Sequence, residues 1–285
     1  MMQEYYLKKF LHIPGISSAS GLEFLDGHIY LVSDNSNYLY DYRISENLLN
    51  RHVLLPSPKM EGIEKPQKLD LEAMLFTADR IYTFGSGSTP VRERGFSISK
   101  NDWKSTELDM RNLYSAMKKS ANITTSDFNI EGVAIHGDSW IFLNRGNGPA
   151  GRNVIFKVEG DDLFKDFKIT CFEIDLPQID GLVFGFSGAS VIADSLYFIA
   201  TAEEGLSTYE DGEIGGTIFG KLDLKNMRID HCQKISADQK FEGITLFEMQ
   251  ADMISFLLCE DSDGSSSLTT IFKLDIIHSK RLNIN

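Results

Sequence analysis

Short apolar runs separated by polar turns fill this chain, and they recur in a fixed order. The first run of each unit pairs an acid or a serine with a small residue: Ser20-Gly21, Glu72-Ala73, Glu131-Gly132, Ser187-Gly188 and Glu242-Gly243. These small residues stand 52, 59, 56 and 55 positions apart, the spacing of an array of similar units. A second run follows each after a short turn: His28 to Ser33, Arg80 to Phe84, Ser139 to Leu143, Ser195 to Ala200 and Met253 to Cys259. Asp26-Gly27 and Gly137-Asp138 supply hairpin chemistry at two of those turns. Third runs begin at Tyr38, Gly95, Asn153, Thr217 and Thr269, so each unit reads as three antiparallel strands in succession.

A fourth, more amphipathic run precedes each new unit at Leu48 to Leu55, Trp103 to Leu108, Phe167 to Leu176 and Met227 to Ile235. The missing fifth lies at the other end of the chain, from Glu4 to Ile13. A ring closed by an N-terminal outer strand explains that bookkeeping, because closure removes the exposed edges of an open array. The pattern therefore predicts an all-β fold, a five-bladed β-propeller of four-stranded antiparallel blades, forming a single domain over residues 1–285. One helix breaks the rule: Met110, Leu113, Tyr114 and Met117 make one apolar face over 109–119, which predicts a cap on a blade edge or a lid on the channel.

Composition narrows the partners. A net charge of −13 disfavours nucleic acid and anionic membrane surfaces, which reward basic patches. No apolar run reaches the roughly 18 residues of a membrane span, and no signal-peptide pattern opens the chain, so a cytoplasmic monomer is expected. The cysteines, Cys171, Cys232 and Cys259, lack metal-ligand spacing and read as free thiols. Nor do the six histidines suggest a zinc site or a catalytic triad.

In a propeller the first strand of each blade lines the channel, so Ser20, Glu72, Glu131, Ser187 and Glu242 converge as a ring. Second strands run back to the same face, which places the loops holding Asp34, Ser86, Asn144, Arg145, Glu203 and Asp261 around the same mouth. Three converging carboxylates repel one another unless they are protonated, paired with Lys68, Lys240 or Arg145, or bound to a hard cation such as calcium. Glu72, Glu131 and Glu242 are the expected metal ligands, and stitching of neighbouring blades by the same glutamates is the alternative. The loop from Asn144 to Arg152, with three glycines and two arginines, reads as an anion-binding or simply flexible hairpin. The acidic stretch after Glu203 reads as a solvated flap, and Asp261-Ser262-Asp263-Gly264 as a turn in preference to a calcium loop.

Two functional classes follow. A hydrolase would polarise a phosphoester or ester with a cation on the three glutamates, using Asp34 or Glu203 as general base. Lys68 and Arg145 would anchor the anionic substrate, and Ser20 and Ser187, in the acid's place on the ring, would also contact it. A non-catalytic propeller would use the same face to bind a small ligand or a protein.

The repeated pattern also resembles a known family. Ser20-Gly21-Leu22 with Ile29-Tyr30-Leu31-Val32-Ser33-Asp34, then Asp70-Leu71-Glu72-Ala73 and Asn129-Ile130-Glu131-Gly132-Val133, is similar to the phytase-like propellers with "esterase-like activity of phytase". More distantly it resembles the gluconolactonase and senescence-marker propellers, which hold a divalent metal at the channel mouth, and an uncharacterised bacterial propeller family. The resemblance implies a metal-dependent phosphoester or ester hydrolase, with Asp34, Glu72, Glu131 and Glu242 as the transferable positions. This chain departs from that pattern in having five units where six are usual, and serines at positions 20 and 187.

Overall fold

A computed structural model describes residues 3–163, 165–203, 214–261 and 267–278, with the side chains of 161 and 162 left aside. The acidic stretch 204–213 and the turn residues 262–266 therefore lie outside the described residues. Strand β1 (Gln3–Pro14) comes first and belongs to the last blade. The first blade is β2 (Ala19–Leu25), β3 (His28–Ser33), β4 (Tyr38–Arg43) and β5 (Leu48–Val53). The second is β6 (Leu71–Phe76), β7 (Arg80–Gly85), β8 (Arg94–Ser99) and β9 (Ser105–Asp109). The third is β10 (Ile130–His136), β11 (Ser139–Asn144), β12 (Val154–Asp162) and β13 (Asp166–Glu173). The fourth is β14 (Gly185–Ile192), β15 (Ser195–Glu203), β16 (Ile214–Asp223) and β17 (Arg228–Ser236). The fifth is β18 (Phe241–Met249), β19 (Met253–Glu260) and β20 (Leu268–His278), completed by β1.

The five sheets form a closed ring. Innermost strands β2, β6, β10, β14 and β18 each neighbour the next, and β18 returns to β2. Closure comes from β1, which pairs antiparallel with β20 from Gln3↔His278 to Pro14↔Leu268. This is the five-bladed propeller that the repeat predicts.

Alternation along each strand explains the core. Residues of one parity face one neighbouring blade and residues of the other parity face the opposite one, so every seam receives an apolar layer. Tyr30, Val32 and Leu39 meet Leu71, Met74 and Ile81 between the first two blades. Ile141 and Leu143 meet Phe186 and Phe198 between the third and fourth, and Tyr197 and Phe219 meet Phe256 between the fourth and fifth. Leu22 and Ile29 meet Leu257 and Cys259 at the closing seam.

Helix α1 (Arg111–Ala121) fills the remaining seam, between blades two and three. Its apolar face, Leu113, Tyr114 and Met117, is buried there, and the Tyr114 hydroxyl donates to the Gly85 carbonyl at 2.6 Å. The helix starts two residues later than the periodicity suggests, because Met110 serves as its N-cap and the Asp109 carboxylate accepts the Arg111 N–H at 3.1 Å. Asn122, in the left-handed region at φ 51°, ends it. The helix thus caps a blade seam.

Candidate site at the channel mouth

One local device recurs in every blade. Pairing between first and second strands skips a residue at 72, 131, 187 and 242, and the first blade shows the same irregularity across 20–21. A β-bulge leaves the extra residue out of the ladder and re-aims its side chain. The ring residue is that extra residue. The small residue after it is set by packing: a Cβ on Gly243 would lie 2.5 Å from the Ser20 carbonyl oxygen of the next inner strand.

Bulging turns Glu72, Glu131 and Glu242 onto a channel cavity of about 10 Å³, room for roughly one water molecule. All three are buried, at 8%, 4% and 5% exposure. Ser20 and Ser187 are wholly buried: Ser20 Oγ donates to Glu242 Oε2 at 3.4 Å, and Ser187 Oγ donates to the Phe241 carbonyl at 2.7 Å. Ser187 therefore stitches blade four to blade five. Asn129, two residues before Glu131, donates to Glu131 Oε1 at 2.6 Å.

Above the ring the charged groups fall into two sets. Between blades one and two, Lys68 Nζ bonds Asp34 and stands 2.9 Å from Asp70 Oδ1, while Arg92 Nη1 holds Asp70 Oδ2 at 2.8 Å. Across blades three to five, Arg145 reaches Glu203 at 3.1 Å, Glu131 at 3.5 Å and Glu242 at 3.7 Å. Lys240 reaches Glu203 and Glu242 at 2.9 Å each and Asp261 at 3.4 Å. Glu72 stands between the sets, and its Oε2 has no hydrogen-bond partner among the described residues; the same holds for Glu131 Oε2.

Charge is scarce relative to the acids. Among the described residues, seven carboxyl groups (the three glutamates with Asp34, Asp70, Glu203 and Asp261) meet four cations, Lys68, Arg92, Arg145 and Lys240. Burial pushes Glu131 and Glu242 up to about 8 against the pull of Arg145 and Lys240. Glu72 is raised well above the carboxylate range, by burial first and then by Glu131, Asp70 and Glu242. Glu203 goes the other way: burial opposes its charge, but Arg145 and Lys240 outweigh it and bring it down to about 2. Burial likewise opposes the Lys68 charge, and Asp70, Asp34 and Glu72 outweigh it, holding the ammonium protonated. One mouth thus holds carboxyls of opposite protonation at neutral pH.

A cavity of about 240 Å³ opens beside the second set, between blades three and four. Arg145, Thr201 and Glu203 form its polar side, and Asn147, Pro149 and Val183 line it as well. Arg145 Nη2 donates to Thr201 Oγ1 at 2.9 Å, which fixes the guanidinium across the blade gap. Gly185 makes this possible: a Cβ there would come within 2.6 Å of Arg145 Cγ.

The structure brings Arg145 and Glu203 together with Glu131 and Glu242, and brings Lys68 together with Asp34. The two alternative candidates for the general base, Asp34 and Glu203, fall in different ion-pair sets. Asp70 and Arg92 carry charge at the mouth that the repeat alone did not single out. Asp70 and Asn129 each stand two positions before a ring glutamate, as the already expected Lys240 does, a register that would have found them.

Residues 15–276 match a family of unknown function (DUF6929), and the chain belongs to that family. No curated protein matches the sequence significantly. Among solved structures, Myxococcus xanthus glutaminyl cyclase is similar, with a TM-score of 0.55 and 9% identity over 96% of this chain and 97% of that one. A luciferin-regenerating enzyme is similar at a TM-score of 0.50 and 9% identity, covering 95% of each chain. At such identities the likeness is one of fold.

Proposed function

We propose that this member of a family of unknown function is a hydrolase of small phosphoesters or carboxylic esters, working at the channel mouth. The observation that carries the reading is the pair of buried Arg145 with partly buried Glu203 on the polar side of the 240 Å³ cavity. Arg145 supplies a planar fork of donors suited to a phosphoryl or carboxylate group. Lys68 adds a second positive charge on the far side of the mouth. Resemblance of the repeat to the phytase-like propellers supports the same reading.

Glu203 is a weak base while both cations hold it. A substrate anion that takes up Arg145 removes one of those partners and raises the basicity of the carboxylate beside the attacking water, so substrate binding prepares its own base. Asp34, across the channel, is the second candidate base. The protonated carboxyls of Glu131 and Glu242 stand behind Arg145, where they limit the negative charge facing an anion.

A divalent cation, calcium by the hardness of its oxygen ligands, suits the channel: Glu72 and Glu131 each keep an unpartnered buried oxygen beside a cavity the size of one ion. Glu242 is the third ligand in this arrangement, although Lys240 and Arg145 already contact its Oε1. When bound, such an ion supplies positive charge that polarises an ester or phosphoryl oxygen.

Purified protein assayed on nitrophenyl phosphates, nitrophenyl esters and lactones, with and without calcium, tests the reading. Turnover that falls 10²-fold or more in Glu203→Gln and in Arg145→Lys is expected. Absence of turnover on every substrate, with and without calcium, rejects it. The saturation of Arg145 and Lys240 by ion pairs favours a second reading, a pocket that binds without catalysis. That reading predicts a ligand-induced rise in melting temperature, abolished by Arg145→Met, and no product.

A further inference from the structure

We propose that Asp34, Asp70 and Glu72 form a seat for one divalent cation between blades one and two, and that the Lys68 ammonium occupies this seat when no metal is bound. The inference rests on the reading that the mouth takes a cation, and is independent of hydrolysis. It places the ion away from Glu131 and Glu242, which Arg145 and Lys240 already contact.

One oxygen from each of the three carboxylates lies within 4.8 Å of the others, close enough for one ion to touch all three. Lys68 bonds Asp34 and Asp70 there. It leaves the third acid unanswered: Glu72 Oε2, buried to better than nine-tenths, has no hydrogen-bond partner among the described residues, and neither has Asp34 Oδ1. Buried polar atoms are almost always partnered, so two unpartnered carboxyl oxygens at one cluster point to a missing partner, a place that a cation bound to all three acids would fill. Arg92 does not fill that need, because it lies on Asp70 Oδ2.

Lys68 behaves as a tethered substitute. Its ammonium is a compact point charge on a flexible stem, able to withdraw without moving the backbone. Asp34, Asp70 and Glu72, by contrast, are set by the end of β3, the entry to β6 and the bulge, so the oxygens remain in place. An all-oxygen set of three carboxylates selects a hard ion, calcium before zinc or copper. Metal and ammonium then exclude one another, and cation affinity is limited by the lysine.

Calorimetric titration of the chelator-treated full chain with calcium chloride, at neutral pH and low salt, tests this. Wild type is expected to bind one equivalent, Lys68→Met to bind at least tenfold more tightly, and Asp34→Asn and Glu72→Gln at least tenfold more weakly. Glu107→Gln, on the outer strand β9 away from the mouth, should stay within threefold of wild type. Circular dichroism checks that each variant folds; if a carboxylate variant does not, the Lys68→Met titration decides alone, because any other loss of structure weakens binding. Absence of binding in both wild type and Lys68→Met overturns the proposal, as does affinity that is unchanged or lower in Lys68→Met. Loss of binding in Glu242→Gln equal to that in Glu72→Gln would return the ion to the three ring glutamates and overturn it too. Calcium binding without any turnover leaves this inference standing while the hydrolase reading fails, and turnover without calcium binding does the reverse.

Discussion

A single partly buried carboxyl shows what an acid without a cationic partner costs this protein. Glu23, three residues beyond Ser20 on β2, accepts a hydrogen bond from Thr245 Oγ1 at 2.9 Å across the closing seam. Burial lifts it from 4.5 to about 7, and the threonine opposes this only in part. A raised carboxyl means that the folded chain holds a proton the unfolded chain has released. Its contribution is therefore complete below about pH 4.5 and is lost as pH rises through 7. A full shift of that size corresponds to about 3 kcal/mol, and partial exposure reduces it to about 1–3 kcal/mol. Urea unfolding at pH 5 and pH 8 should show wild type losing that much relative to Glu23→Gln. Glu203 has the opposite sign, since its depressed value makes its ion pairs a contribution that is present above about pH 4.5 and disappears as pH falls toward 2. Glu203→Gln should accordingly lessen the acid sensitivity of folding between those limits.

Within a blade, the bulge on the first strand decides which side chain reaches the channel. Sequence periodicity located the acid and the small residue after it, but a one-residue slip in pairing leaves no mark on composition, so the reason for their convergence was not legible. Arg92 was hidden for a related cause. Its partner Asp70 lies 22 positions earlier, and nothing in the spacing of two loops announces an ion pair. The strands themselves, the closing role of the N-terminus and the apolar helix face were legible because each repeats a local rule. Tight packing behind the bulge is testable on its own. Gly243→Ala pushes a Cβ against the Ser20 carbonyl and Leu22 Cβ, at 2.5 and 2.6 Å, where backbone cannot yield cheaply. A loss of about 1–3 kcal/mol in urea unfolding is expected. Gly132→Ala, whose nearest neighbour is the Ala189 methyl at 3.2 Å, should cost clearly less.

Across the whole molecule, the mouth depends on the ring staying closed, because its ion pairs join blades that are remote in sequence. Arg145 of blade three spans to Glu203 of blade four and Glu242 of blade five. Only β1 makes the last blade four-stranded, and it does so from the opposite end of the chain. Its pairing with β20 covers that strand's edge, and Ile13 is fully buried at the closing seam. Removing residues 1–14 should therefore uncover the β20 edge and unseat the closing layer that Leu22 and Ile29 share with Leu257. An uncovered edge is a template for pairing with another chain. The truncated protein should lose most of the roughly 5–15 kcal/mol that stabilises a folded domain, and should self-associate on size exclusion. A synthetic peptide of residues 3–14, added in excess, should restore a single cooperative urea transition by refilling the vacant strand position. If the truncated chain stays monomeric and unfolds at the wild-type midpoint, closure by β1 does not hold the ring together, and the geometry of the mouth must be secured by the seams alone.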